Sequence, residues 1–149
     1  MESAATSPGP GPDTGPEPDT GPEPDAGPEP LIRQARFLRE ADQLKGVLRQ
    51  SSILDGSRPE NSAEHSWHLA LMALVLREYA PPGTDLNRVT AMLLIHDLVE
   101  IDAGDLFVYA DAVAQARQEA AEHAAADRLF TLLPPDQGPG LRALWDEFE

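Results

Sequence analysis

The first thirty residues narrow what this chain can fold into before any motif is considered. From Gly15 to Pro30 it reads GPEPDTGPEPDAGPEP. Recurrent proline forbids a helix there and removes backbone donors. The segment also offers nothing apolar to bury. Residues 1–30 are therefore expected to form an extended, acidic, disordered tail of polyproline character. Its plainest role is a solubilising extension; a docking tail for a partner is the alternative, and no motif in it argues for one. Folding is left to residues 31–149, about one domain by length.

From Leu31 the pattern turns helical. Ile32, Ala35, Leu38, Ala41, Leu44 and Leu48 recur at helical spacing, which predicts a first helix running to Gln50. SSILDGSRPE follows as a loop, by its Asp-Gly, Gly-Ser and proline. NSAEHSWHLALMALVLREYA is a second helix, with Asn61 and Glu64 spaced as a capping box. PPGTD stops it. LNRVTAMLLIHDLVEIDAG is a third, capped by Thr84 or Asp85 and stopped at Gly104. DLFVYADA connects to a fourth, VAQARQEAAEHAAADRLFTLL, ended by two prolines, and GLRALWDEFE begins a fifth. No stretch alternates convincingly with a period of two, LFVY being the best fragment. The predicted class is all-α, a compact bundle, with the nearly all-apolar second and third helices as its core.

Composition excludes several functions. With no cysteine there are neither disulfides nor thiolate metal sites. Any metal must be held by His, Asp or Glu, which suits a hydrolytic ion better than a structural zinc. The net charge is -15, of which the tail's seven acidic residues are part; the remainder has 19 acidic against 11 basic residues, a net -8. Such a chain lacks the basic face that nucleic acid requires. No stretch approaches the ~20 apolar residues of a membrane span, and no secretory signal is evident. The expected location is the cytoplasm.

Ionisable residues gather in two places. HDLVEIDAGD, directly behind the apolar AMLLI, holds His96, Asp97, Glu100, Asp102 and Asp105. On a helix, His96, Asp97 and Glu100 can project toward one side. His65 and His68 stand three apart on the second helix. A metal between the two helices could take His65 from one and His96 with Asp97 from the other, a known way to build a site in a bundle. Each residue also has an ordinary explanation: histidines on helices are commonly packing or surface residues, Glu64 can simply cap, and Asp102 and Asp105 can be turn residues.

The order of these residues says more. RPENSAEHSWHLALMALVL, a gap, then MLLIHDLVEIDAGD resembles the HD-domain metal-dependent phosphohydrolases, in particular the branch of bacterial 5'-deoxynucleotidases and their eukaryotic relatives. The likeness covers roughly residues 33–149 and rests on ENSAEH, HDLVE and the following Gly-Asp. It implies an HD-domain helical bundle over 31–149. It makes His65, His96 and Asp97 ligands of one divalent ion (Co, Mn, Mg or similar), Glu100 the active-site glutamate and Asp105 a substrate-site aspartate. Arg49 stands nearest the family's substrate arginine. Arg58 matches the arginine before the Glu-Asn pair and is a second substrate-binding candidate, although its first expected job is to hold that loop by pairing with a carboxylate. His68 matches no ligand and reads as packing or support.

The implied reaction is removal of the 5'-phosphate from (deoxy)nucleoside monophosphates, so the expected partner is a small nucleotide. Because relatives in the branch are often dimers, a homodimer is one expected assembly. The family pattern ends with a further Asp on a later helix, and neither Asp136 nor Asp146 matches it. The chain is thus expected to be shortened at its C-terminus, with apolar surface of the second and third helices exposed. Two alternatives stay open: a truncated or inactive HD-fold module with a binding role or none, and an HD hydrolase of another phosphate ester.

Overall fold

A computed structural model describes residues 29–105 and 111–149. Nearly all of the predicted tail, and the LFVY fragment, lie outside the described residues. The architecture is all-α with one small hairpin. In chain order it comprises α1 (Glu29–Ala41), a 3-10 turn (Asp42–Gly46), β1 (Leu48–Ser52), β2 (Pro59–Asn61) and α2 (Ser62–Val75). A 3-10 turn (Arg77–Tyr79), α3 (Leu86–Ile95), a 3-10 turn (His96–Val99), α4 (Glu100–Ala103), α5 (Ala112–Phe130) and α6 (Gly138–Phe148) follow.

The first helix is shorter than its periodicity suggests. It ends at Ala41, tightens into the 3-10 turn and leaves the helical region at Val47, whose backbone is extended. Gly46 is a poor helix residue. Leu48 only imitates the next apolar position, since it is 60% exposed. The loop expected after it is instead an antiparallel hairpin, pairing Leu48 with Asn61 and Ser52 with Pro59 through an irregular register. Gly56 turns the corner at φ 72°, a conformation that favours glycine.

The helix caps follow the sequence closely. Asn61 Oδ1 accepts from the Glu64 amide at 2.9 Å and Glu64 Oε1 from the Asn61 amide at 2.8 Å, a reciprocal box. Asp85, not Thr84, caps α3 through the Arg88 amide at 3.1 Å. The predicted third helix is broken: after Ile95 it tightens over His96–Val99, resumes as the single turn of α4, and stops at Gly104, φ 74°.

The core is also displaced from where apolar content placed it. It is built from Phe37 of α1, Leu44, Leu98 and Val99 of the 3-10 turns, Ala125, Ala126, Leu129 and Phe130 of α5, Leu133, and Trp145 of α6. Phe37 stacks on Phe130 at 6.3 Å between ring centroids. The Arg33 guanidinium ties α1 to the end of α5, donating to the Leu133 and Thr131 carbonyls. At the α5–α6 turn Gly138 packs so closely on Phe130 that a Cβ would stand 2.4 Å from its carbonyl oxygen. By contrast α2 buries only Ser62, Ser66 and Ala70, and α3 buries no residue fully. These three small residues, spaced one turn apart, form the buried face of α2 and leave its bulk outside. Trp67 is 61% exposed, Val75 66% and Leu94 50%.

Candidate metal centre

The ionisable cluster lies at the start of α2 and in the 3-10 turn and α4 that follow α3. His65 lies in the first turn of α2, fixed by the capping box just before it. His96 and Asp97 occupy the 3-10 turn after α3, where tighter winding than an α-helix directs both inward. His96, Asp97 and Glu100 are all buried. One ligand-type atom from each of His65, His96 and Asp97 falls within a 4.8 Å span, the spacing of groups that share an ion. The two imidazoles stand 5.7 Å apart between centroids.

The rings are held so that each offers a lone pair. His96 Nδ1 lies 2.9 Å from the Leu93 carbonyl oxygen. A carbonyl can only accept, so Nδ1 carries the proton and Nε2, 2.9 Å from Asp97 Oδ1, faces the cluster. His65 Nδ1 lies 3.0 Å from Glu60 Oε2. Burial alone would push the His96 pKa down, but the hydrogen bond and charge of Asp97 outweigh it and the net direction is up. Two imidazole nitrogens and a carboxylate, with the far ring nitrogens anchored, fit a divalent ion of the hydrolytic kind.

Around this cluster the hairpin supplies restraints. Arg49 on β1 donates from Nη1 to Asp97 Oδ2 at 2.8 Å. The same nitrogen stands 3.6 Å from Glu100 Oε1 and 3.8 Å from Asp105 Oδ1. The Gln50 amide donates to Asp105 Oδ2 at 2.7 Å. Ser62, fully buried, donates its hydroxyl to Glu100 Oε2. Glu100 is pushed up to about 7, first by burial and then by the charges of Asp97 and Asp105, against the opposing pull of the Ser62 hydrogen bond and Arg49. Two buried polar atoms have no partner among the described residues: Arg49 Nε and Ser66 Oγ.

His65, His96, Asp97, Glu100, Asp105 and Arg49 are thus brought together. Arg58 is not: its guanidinium forms a two-pronged pair with Glu64, holding the loop before α2. Asp102 also turns away, to Arg128 at 2.9 Å. His68 stacks beside Trp67 at 6.1 Å. Sequence reasoning held Glu60 only as the first residue of ENSAEH, without a role, and missed Ser62 and the α6 pair Trp145 and Phe148. Trp145 Nε1 donates to the His96 carbonyl at 3.1 Å, and the Phe148 ring lies 4.7 Å from the His96 ring. Their spacing of three on one helix was the available signal.

A helical domain that seats a histidine of one helix against a His-Asp pair following another defines a metal-binding class. The HD domain family matches residues 41–149, and the chain belongs to that family. It is 32% identical over 115 residues to a mouse protein named 5'-deoxynucleotidase HDDC2, covering 76% of this chain and 56% of the relative. The human protein of that name is 31% identical, with 76% and 54% covered. The chain therefore spans about half the length of these curated relatives. Among solved structures it resembles a predicted metal-dependent phosphohydrolase from Magnetospirillum magnetotacticum, at a TM-score of 0.76 and 52% identity over 80% of this chain and 59% of that one.

Proposed function

We propose that this chain carries the site of a metal-dependent phosphohydrolase that removes the 5'-phosphate of (deoxy)nucleoside monophosphates. The observation that carries the reading is the convergence of His65, His96 and Asp97 within 4.8 Å. The names of the relatives supply the substrate class.

A divalent ion held by these three side chains would draw charge from a phosphoryl oxygen and lower the pKa of water. The chain's own residues do the rest. Hydrolysis breaks the bond between phosphorus and the ester oxygen and forms one from phosphorus to a water oxygen. One proton leaves that water, and one must reach the departing alcohol. Glu100, poised near 7, can take the first and return the second, because a carboxyl with a pKa near ambient pH serves both directions. Ser62 fixes the orientation of its far oxygen. Among the described residues Arg49 is the one cation paired with these carboxylates, and its buried, unpartnered Nε leaves a donor for a phosphate oxygen. Asp105, held by the Gln50 amide, is placed to accept from a sugar hydroxyl. No helix among the described residues is long and apolar enough to cross a membrane.

The test is phosphate release from deoxynucleoside monophosphates with Mn2+ or Co2+, set against Asp97→Ala. Release by the parent chain and its loss in the variant supports the reading. Equal inactivity with no metal uptake by calorimetry overturns it in favour of a non-catalytic HD module, and release from other phosphate esters alone would shift the substrate class.

A further inference from the structure

We propose that Glu60 is a positioning residue for the metal centre, acting through His65. It locks the imidazole in the tautomer that presents Nε2 to the ion. This rests on the reading of His65 as a ligand.

Glu60 sits on β2, at the edge that leads into the capping box of α2. Its Oε2 is 3.0 Å from His65 Nδ1, and the two side chains are only 15% and 21% exposed. An ionised carboxylate has no proton to donate. The contact is therefore a hydrogen bond only when Nδ1 carries the hydrogen. A neutral ring protonated at Nδ1 has its lone pair at Nε2, which makes it a ligand. The same ring protonated at Nε2 would turn a proton toward the ion. Free imidazole in a histidine side chain prefers that second form, so something must hold His65 in the first. Glu60 is the only hydrogen-bond partner of the His65 ring among the described residues. His96 obtains the same result from the Leu93 carbonyl, in the last turn of α3 just before it. His65 lies in the first turn of α2, and its ring meets no such carbonyl among the described residues. The hairpin supplies a carboxylate instead, a stronger acceptor for the Nδ1 hydrogen than a carbonyl.

The neighbouring acids do not share this role. Glu64 is engaged by Arg58 and by the Asn61 amide, and Glu100 by Ser62.

The experiment uses the full chain labelled with 15N-histidine. There are four histidines, and a His65→Gln sample identifies the signal of interest. Long-range 1H–15N spectra of the metal-free protein at alkaline pH report which ring nitrogen bears hydrogen. His65 is expected to be protonated at Nδ1 in the parent. In Glu60→Ala it should move to the Nε2 form, and Mn2+ affinity by calorimetry should fall about 10- to 100-fold. Glu60→Gln, whose amide oxygen still accepts, should keep the parent tautomer and most of the affinity. Circular dichroism confirms that α2 persists in both variants. An unchanged His65 tautomer in Glu60→Ala overturns the proposal, as does unchanged Mn2+ affinity. If the parent itself binds no Mn2+, the metal reading fails, while the tautomer spectra still decide what Glu60 does to His65.

Discussion

Replacing Glu100 by glutamine should remove a pH dependence of stability that its burial creates. In the metal-free chain the carboxyl is 8% exposed and held at about 7 instead of its ordinary 4.5. A folded-state pKa above the unfolded one means that the folded chain binds the proton more tightly. The associated stability is fully present below 4.5 and is lost as pH rises through 7. At ~1.36 kcal/mol per pH unit the full effect is about 3.4 kcal/mol, and residual contact with solvent brings it to about 2 kcal/mol. Glutamine keeps the shape, and its amide oxygen can still accept from Ser62, but it never ionises.

The measurement is urea unfolding of parent and Glu100→Gln in chelator, at several pH values from 5 to 8.5. The variant should gain about 2 kcal/mol on the parent across that range, with the steepest change between about 5 and 7 and a levelling off above about 8. Taking the difference cancels the many groups the two proteins share. A difference that stays flat with pH would show that Glu100 ionises as an ordinary carboxylate, and would remove the ground for assigning it the proton transfers.

Arg49→Met should destabilise the metal-free chain by about 3 kcal/mol, because it leaves Asp97, Glu100 and Asp105 facing one another without a cation; denaturant midpoints in chelator measure this, and an equal or higher midpoint would contradict it. The same variant should raise the apparent pKa of Glu100 further, since Arg49 now opposes that rise, which would move the pH transition above to higher values. Asn61→Ala removes one arm of the capping box and should cost about 1 kcal/mol, read by thermal unfolding. Trp145→Phe should lower stability by about 1 kcal/mol for the lost bond to the His96 carbonyl, and it should shift the His96 ring signals in NMR while leaving those of His68 in place.

Much of the helical framework was legible because its signals are local. Asn61 and Glu64 announce a capping box within four residues, and Asp85 announces a cap within three. The chain order of His65, His96 and Asp97 likewise showed which side chains should meet. What was illegible depends on partners far away in sequence. Leu48 continues the helical spacing of α1, yet it is solvent-exposed on a strand whose pairing partner is Asn61. The sequence LRQSS has one apolar residue and no alternation. Periodicity cannot register such a strand, since neither face is buried. The core was misplaced for a related reason. An apolar helix packs inward either through its bulk or through its small residues, and α2 presents Ser62, Ser66 and Ala70 inward.

The hairpin that escaped notice is also what makes the site rigid, and the reason lies in the His-Asp turn. His96 and Asp97 fall where α3 gives way to 3-10 winding, a geometry with poorer backbone hydrogen bonds than a regular helix. A turn of that kind cannot by itself hold two ligands to the fraction of an ångström that shared coordination needs. The restraint comes from outside it. Arg49 holds Asp97, the Gln50 amide holds Asp105, Glu60 meets His65, and Ser62 holds Glu100. All four lie on the two strands or on the first residue after them, and the pairing of Leu48 with Asn61 brings their ends together. The hairpin has few apolar contacts and could not persist on two strands alone. Its bonds to the site therefore stabilise the hairpin as much as the hairpin orders the site. Loss of either set should loosen both, so double substitutions pairing Arg49 with Glu60 should couple, with effects on metal affinity that do not add.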